Sequence, residues 1–199
     1  MALGDAYATA AQYRDSKEKT SVDDDVSITR ELTATARYID RLLGRVLGFN
    51  QDATATARVY TMGNGVVLDI DDHATVTSVE VGNRYTGVYD AALAASAWAK
   101  LPRSAASKPL PEPYRQIEFL SSAPGAGSLV RVTGLGGWPS VPDAIVAANI
   151  ELTGILRLES PRATNRVNEV GQVLSTSRAA QNILGELMNA YRSISGVFA

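Results

Sequence analysis

The densest group of side chains that could do chemistry lies at Asp69, Asp71, Asp72 and His73. Carboxylate oxygens are the ligands that hard cations such as Ca²⁺ and Mg²⁺ prefer, so this cluster is the first place to look for a metal site. However, the cluster lies where a predicted strand ends and lacks the regular ligand spacing of a calcium-binding loop. We therefore expect no metal site here.

Other catalytic motifs are absent from the sequence. His73 is the one histidine, so any histidine acid–base chemistry would depend on it alone. No serine lies in a Gly-x-Ser-x-Gly setting, and there is no P-loop lysine motif. Gly134-Leu135-Gly136-Gly137 follows a predicted strand as a phosphate loop would, but Pro139 and Pro142 remove N–H donors and the spacing fits neither nucleotide fingerprint. The sequence predicts no catalytic residue and no cofactor.

A possible interaction surface is the arginine stripe Arg37, Arg41 and Arg45, spaced four residues apart on the first long predicted helix. One interpretation is an ordinary solvated face. The other is a surface that meets another subunit or nucleic acid, because guanidinium groups suit carboxylates and phosphates. The net charge of -2 argues against general nucleic-acid binding by bulk electrostatics, but leaves a local basic face open.

Length and composition limit the class of protein. A chain of 199 residues can form one sizeable core, or a domain with an inserted subdomain. The absence of cysteine removes disulfides and thiolate metal sites, and fits folding in a reducing cytosol. The start of the chain lacks the basic and apolar regions of a signal peptide, and no apolar stretch approaches the roughly 18 residues that span a bilayer. We expect no membrane association.

Helical periodicity marks both ends of the chain. A short helix is predicted near residues 9–17, with the acids of 23–25 as the entry to a long helix at 26–47 that Gly48 ends. Two later helices are predicted, one at 141–159 and one at the end of the chain. The residues that define the apolar faces of the long helix and the last helix are Ile28, Leu32, Ile39, Leu43 and Val46, then Ala180, Ile183, Leu184, Leu187, Tyr191 and Ile194.

The middle of the chain has strand periodicity. Residues 56–62 and 66–70 flank Gly63-Asn64-Gly65, which is a hairpin signal. Further strands are predicted at 75–81 and 84–89, and residues 116–120 are expected to pair with 128–133. Residues 91–100 could form a short alanine-rich helix, and the four prolines that follow predict an extended surface loop at 102–113.

The strand at 129–133 leads through a glycine run to a helix within a few residues. The glycines permit positive φ. Trp138, which precedes Pro139, is suited to pin the loop against a core. Ser140 and Asp143 have the spacing of a capping box at the start of the helix. Together these patterns predict an α+β fold: a helical bundle of one long N-terminal helix and two C-terminal helices, interrupted by a small antiparallel β insertion. Residues 1–54 and 135–199 would form the helical core, and 55–134 the inserted subdomain with its proline-rich loop.

This order of parts resembles the head-to-tail connector proteins of long-tailed bacteriophages, also called adaptor or head-completion proteins. The sharpest portion is Leu129-Val130-Arg131-Val132-Thr133, then the glycine turn with Trp138-Pro139 and Val141-Pro142, then the apolar helix that begins at Asp143. The loop Asn168-Glu169-Val170-Gly171 also resembles the glycine-containing loop of the family. The resemblance covers most of the chain in outline.

The resemblance implies a structural protein of the virion neck and not an enzyme. Such adaptors form a ring, commonly of twelve subunits, under the portal protein; the ring links capsid to tail and extends the DNA channel without sequence-specific DNA binding. The next neck (stopper) or tail-completion protein would bind below it, and assembly would take place in the host cytoplasm. The expected portal and subunit interface residues are Arg37, Arg41, Arg45, Trp138, Arg192, Val197 and Phe198.

Two alternatives stay open at the level of the sequence. One is another virion structural or binding module, such as a tail-terminator-like protein or a β-domain recognition protein. The other is a metal-dependent enzyme that uses Asp71 and Asp72.

Overall fold

The computed structural model describes residues 5–18, 24–45, 48–108, 111–159, 174 and 177–191. Contacts divide the chain into two compact units: a helical unit, Met1–Phe49 with Val141–Ala199, and a β unit, Asn50–Ser140. The helices are α1 (Ala10–Ser16), α2 (Asp25–Leu43), α3 (Asp143–Glu159) and α4 (Arg178–Tyr191). The strands are β1 (Thr56–Thr61), β2 (Val67–Gly82), β3 (Trp98–Leu101), β4 (Tyr114–Phe119) and β5 (Leu129–Gly136).

The expectation of a small β insertion in a helical bundle is wrong. The β unit contains an antiparallel sheet of five strands in the order β1-β5-β2-β4-β3, and this sheet is a main element of the protein. The sequence pattern predicted that a strand would end at the acidic cluster. In the structure, β2 is 16 residues long and continues through this cluster. Polar side chains do not end a strand when one face of the sheet meets solvent and alternate residues stay buried.

Both predicted hairpin pairings are wrong. Strands β1 and β2 are not neighbours, because β5 lies between them and pairs with both. Strand β4 pairs with β2 and β3 instead of with β5. The glycine-containing segments do connect successive strands, but strand order depends on which apolar faces can be buried together.

The sheet curls because β2 bends. Thr61 at the end of β1 and Gly82 at the end of β2 lie at the same end of the sheet, because both pair with Leu129 of β5. If β2 were straight, Val67 would lie about 50 Å from Gly82, yet the short 62–66 connection from Thr61 spans about 20 Å at most. Register shifts along β2 mark the bends. Both halves of β2 therefore contribute to one apolar core, formed by Met62, Leu68, Ile70, Val76, Val79, Ile117, Phe119, Val130 and Val132.

Two smaller predictions in the β unit also fail. Residues 91–100 form a 3-10 turn at Ala95–Ala97 and then β3, because Trp98 packs against the core of the sheet and this overrides alanine propensity. Residues 84–89 form a tight loop with a single bridge between Gly82 and Tyr89, instead of a strand.

The helical unit follows its predicted pattern more closely. Thr9 caps α1 through a capping box with Gln12, and the predicted apolar face of α2 is buried at Ile28, Leu32, Ile39 and Leu43. Val46 and Ile194 lie outside the described residues. Helix α2 ends at Leu43 instead of near Gly48, because Gly44 adopts the left-handed conformation (φ 66°) that closes a helix.

Helices α2 and α3 are joined by polar contacts within an apolar core. The fully buried Asn149 donates a hydrogen bond from its side chain to the carbonyl of Leu32 (3.0 Å). The same side chain accepts from the backbone N–H groups of Tyr7 (3.1 Å) and Ala8 (3.2 Å). One amide thus fixes the N-terminal segment, α2 and α3 relative to one another.

Candidate functional site

The segment that follows β5 is held in the β unit by Trp138, whose side chain is 3% exposed. Its indole N–H donates to Oδ2 of Asp72 (3.2 Å). Nε of Arg115 donates to Oδ1 of the same carboxylate (3.0 Å), and its guanidinium carbon lies 5.8 Å from the centroid of the Trp138 ring. Asp72 therefore holds a tryptophan and an arginine together, which explains why Trp138 pins this segment as the sequence predicted.

The turn after β5 depends on Gly137. Its φ is +88°, and a Cβ atom at this position would lie 2.0 Å from the carbonyl oxygen of Asn50. Gly134 and Gly136 lie inside β5, so Gly137 is the member of this run that uses the positive φ which glycine permits. The predicted cap is also wrong: α3 begins at Asp143, and the carbonyl that accepts its first hydrogen bonds belongs to Pro142 instead of Ser140.

The remaining members of the acidic cluster bind separate partners within the β unit. Asp69 Oδ1 accepts from the side-chain amide of Gln116 (2.8 Å), and Asp71 Oδ2 accepts from the hydroxyl of Tyr60 (3.3 Å). His73 is fully buried, with Nδ1 2.7 Å from the carbonyl oxygen of Asp71, and burial lowers its pKa. In the described ranges no group of three or more such side chains could hold a metal ion.

A buried carboxyl in the helical unit was missed by the sequence reasoning. Asp40 accepts a short hydrogen bond from the hydroxyl of Tyr7, which in turn accepts from the backbone N–H of Phe49 (3.0 Å). Burial raises the pKa of Asp40 to about 6, and burial together with the Asp40 charge raises the pKa of Tyr7. The sequence could have indicated that this carboxyl is buried, because Asp40 lies at helical spacing between Ala36 and Leu43 on the apolar side of α2.

Arg45 does not continue the predicted stripe. It lies beyond the end of α2 and is 5% exposed. Nε donates to the carbonyl oxygen of Tyr191 at the end of α4 (3.1 Å), and the guanidinium lies 5.0 Å from the centroid of the Phe49 ring. Phe49 and Tyr191 pack edge to face. Arg45 thus connects the ends of α2 and α4 inside the helical unit.

Arg37 and Arg41 are exposed on α2, as the stripe predicted, and Arg30 is exposed on the same side of the helix. Arg30 precedes Arg37 by seven residues, a helical spacing that the sequence reasoning overlooked. The other expected interface residues, Arg192, Val197 and Phe198, lie outside the described residues, as does the 168–171 loop.

The β unit also exposes apolar side chains that the sequence did not single out. The loop after β2 presents Tyr85 (88% exposed) and Val88 (65% exposed). The side-chain oxygen of Asn83 accepts from the backbone N–H groups of Tyr85 (2.8 Å) and Thr86 (3.3 Å), which stabilises the turn. Exposed tyrosines are among the residues that anchor protein partners.

The described helices include none that is long and apolar enough to cross a membrane. No protein-family model matches the chain, and no curated protein matches it. Among solved structures, the chain is similar to one from "Neck of empty GTA particle computed with C6 symmetry", with 19% identity and a TM-score of 0.47. The match covers 74% of this chain and 76% of that chain.

Proposed function

We propose that this protein is a structural component of a virion neck. It forms a ring under the portal protein, commonly of twelve subunits, which links the capsid to the tail and extends the DNA channel. The next neck or tail-completion protein binds the opposite side of the ring. The chemistry of this function is association between surfaces, with no catalytic step.

The observation that carries the proposal is the order of elements around Trp138. Helices α1 and α2 precede the sheet, β5 leads to the turn at Gly137, and α3 and α4 follow. This is the order of parts of the connector family that the sequence resembles. The polar groups near the turn support the same proposal, because Asp72 binds Trp138 and Arg115 and so acts as a structural carboxylate.

Ring formation also requires surfaces for neighbours. A closed ring of identical subunits uses two different surfaces on each subunit, one complementary to the other. The Tyr85 loop supplies one candidate, since aromatic residues dominate the energetics of protein interfaces. The exposed arginines of α2 supply a second surface of different character.

The location of the protein in particles tests the proposal directly. Because the chain has no cysteine, Ser107→Cys introduces a single thiol at an exposed position of the β unit. Particles produced from the genome that encodes this chain would be assembled with the variant, treated with maleimide gold and imaged by electron microscopy. We expect gold at the junction of head and tail.

The unmodified chain, treated with the same reagent, is the control for non-specific gold. Gold over the capsid faces or at the tail tip would contradict the connector function and favour another virion module. Absence of the protein from purified particles would contradict any structural role in the virion.

A further inference from the structure

We propose that one end of the β unit is a docking surface for a different protein, whose contacting surface is apolar and carries a carboxylate. We call this end the β tip. It consists of the loops 62–66, 83–89 and 120–128, together with Val67 at the start of β2. The inference goes beyond the proposed function and does not depend on it, because it concerns what the chain binds and not where the chain is located.

The three loops of the β tip lie against one another. Met62 in the first loop donates its backbone N–H to the carbonyl oxygen of Ser128 (2.9 Å), and its own carbonyl oxygen accepts from Gly127 (2.8 Å). A Cβ atom on Gly127 would lie 2.8 Å from Nη1 of Arg84, so the side chain of Arg84 in the second loop reaches the third. The loops therefore form one continuous surface.

Exposed apolar side chains gather at the β tip. Of the eight large apolar residues that are exposed in the described ranges, five lie here. Single exposed apolar residues are normal on a protein surface, but a group of them at one place marks an interaction site. The five are Val66 (52% exposed), Val67 (37%), Tyr85 (88%), Val88 (65%) and Leu120 (50%).

Charge is almost absent from the β tip. Arg84 is the one charged residue in its three loops, although 20% of the residues in the chain are charged. The next charged residue along the chain, Asp90, donates its backbone N–H to the carbonyl oxygen of Val81 (2.9 Å), so it lies back along β2. Few charges, with tyrosine and arginine retained, is the composition of the centre of a protein interface.

Arg84 indicates the charge of the partner. Its guanidinium carbon lies 5.5 Å from the centroid of the Tyr85 ring. Among the described residues no carboxylate pairs with it. An exposed guanidinium beside an aromatic ring suits a carboxylate, because its planar N–H groups can donate two parallel hydrogen bonds. We therefore expect the partner to place an acid opposite Arg84, surrounded by apolar side chains.

A second copy of the chain fits the β tip less well than a different protein does. A symmetric contact between two β tips would bring both Arg84 side chains into one interface that contains no acid. A contact with another part of a copy would need a second apolar patch. In the described ranges, the exposed large apolar residues outside the β tip are Val26, Val59 and Leu158, each on a different element. The Tyr85 loop alone suits a neighbouring subunit, but with the two loops beside it the surface suits a different protein.

The β tip also lacks the charge that nucleic acids and membranes require. Proteins bind nucleic acid through several lysines or arginines that contact phosphates, and they bind anionic membranes through clusters of such residues. The β tip has Arg84 alone. A protein surface is therefore the partner that its composition favours.

Site-specific cross-linking in cells that express the encoding genome tests the inference. A photoreactive phenylalanine analogue would replace Ser121 in the third loop. As the matched control it would replace Ser107, which is also an exposed serine of the β unit. Ser107 follows β3, and β3 runs away from the β tip, since Trp98 pairs with Phe119 and Leu101 with Gln116.

Mass spectrometry of the irradiated products identifies the linked peptides. We expect position 121 to link to an apolar segment of one other protein, with an acid close to the linked residue. We expect no such link from position 107.

Charge variants test whether the link depends on Arg84. Arg84→Glu should lower the yield of the link from position 121 about tenfold, because it would place two acids together. Arg84→Lys should retain most of the yield, and Arg37→Glu in the helical unit should leave it unchanged. Replacing the facing acid of the identified partner by arginine should restore the link to the Arg84→Glu variant. Thermal unfolding would confirm that each variant is folded.

The possible outcomes are distinct. A link from position 121 to a second copy of the chain would overturn the inference in favour of self-association, and a link to nucleic acid or lipid would overturn it as well. No link from position 121, or equal links from both positions, would show that no specific partner covers the β tip. An undiminished link in Arg84→Glu would contradict the facing carboxylate. The gold label tests the proposed function separately, so either proposal can fail while the other stands.

Discussion

At the scale of single residues, carboxylates account for several of the polar contacts that hold each unit together. Asp72 binds the indole of Trp138 and the guanidinium of Arg115 in the β unit. Asp40 binds the hydroxyl of Tyr7 in the helical unit. Asp40 is buried and burial raises its pKa, so its ionisation is coupled to folding.

The first prediction concerns Asp40. Its folded pKa of about 6 lies above the ordinary value of 3.8 for an aspartate, so the folded state binds the proton more tightly than the unfolded chain does. Its contribution to stability therefore increases as the pH falls through 6 and is complete below 3.8. We expect a gain of about 1 kcal/mol between pH 7 and pH 5, measured by urea unfolding.

Asp40→Asn removes this titration and keeps a similar shape, so it is the matched control. The other carboxyls titrate in both proteins, and the difference between the two pH profiles isolates Asp40. Parallel profiles would show that Asp40 does not titrate in this range in the folded protein.

The second prediction concerns Trp138. Trp138→Ala removes a buried aromatic side chain and should lower the free energy of unfolding by about 3 to 5 kcal/mol. Trp138→Phe keeps much of the packing but loses the hydrogen bond to Asp72, and should cost less. Urea unfolding measures both values, and ring formation with the portal should fail for the alanine variant. Unchanged melting together with unchanged assembly would contradict the role of Trp138 in holding this segment.

At the scale of elements, β5 organises the β unit. It pairs with β1 on one side and with the second half of β2 on the other, so it joins strands that are distant in sequence. The turn that follows β5 requires Gly137, because the backbone of Asn50 occupies the space where a side chain would begin. The strand and its exit are thus fixed by contacts with other elements of the β unit.

The third prediction tests this turn. Gly137→Ala combines a positive φ with a Cβ atom 2.0 Å from the carbonyl oxygen of Asn50. Gly87→Ala has a positive φ of 67° but nothing within 4 Å of the added Cβ, so it controls for backbone strain alone. We expect the control to cost about 1 kcal/mol, and Gly137→Ala to cost clearly more in denaturant unfolding. Equal losses would indicate that the turn shifts without cost.

At the scale of the whole molecule, the chain forms two compact units with separate apolar cores. The β unit is built from one continuous segment, Asn50–Ser140, whereas the helical unit combines segments from both ends of the chain. The core of the β unit comes from β2, β4, β5 and the connection after β1, all within that segment.

The fourth prediction follows from this continuity. A fragment of residues 50–140 contains every residue of its own core, so it should fold alone and unfold cooperatively. Circular dichroism and a dispersed amide NMR spectrum would report this. The matched fragment with Val132→Asp, which places a charge in the core, should remain unfolded. An unfolded parent fragment would show that the β unit depends on the helical unit for its stability.

The sequence by itself determined the local features of this protein. The apolar periodicity of α2 predicted its buried face, a short helix was predicted where α1 forms, and Trp138 predicted a pinned segment. Such features depend on residues a few positions apart, where helix period and side-chain size act directly.

Only the tertiary structure decided the strand order, the size of the sheet and the roles of the charged residues. Strand β5 lies between β1 and β2 because burial of apolar faces, and not proximity in sequence, selects the partner of a strand. Arg45 is buried against Phe49 while Arg30 is exposed beside Arg37, although all are arginines at helical spacing in the sequence. The environment of each charge is set by the elements that pack around it, and those come from distant parts of the chain.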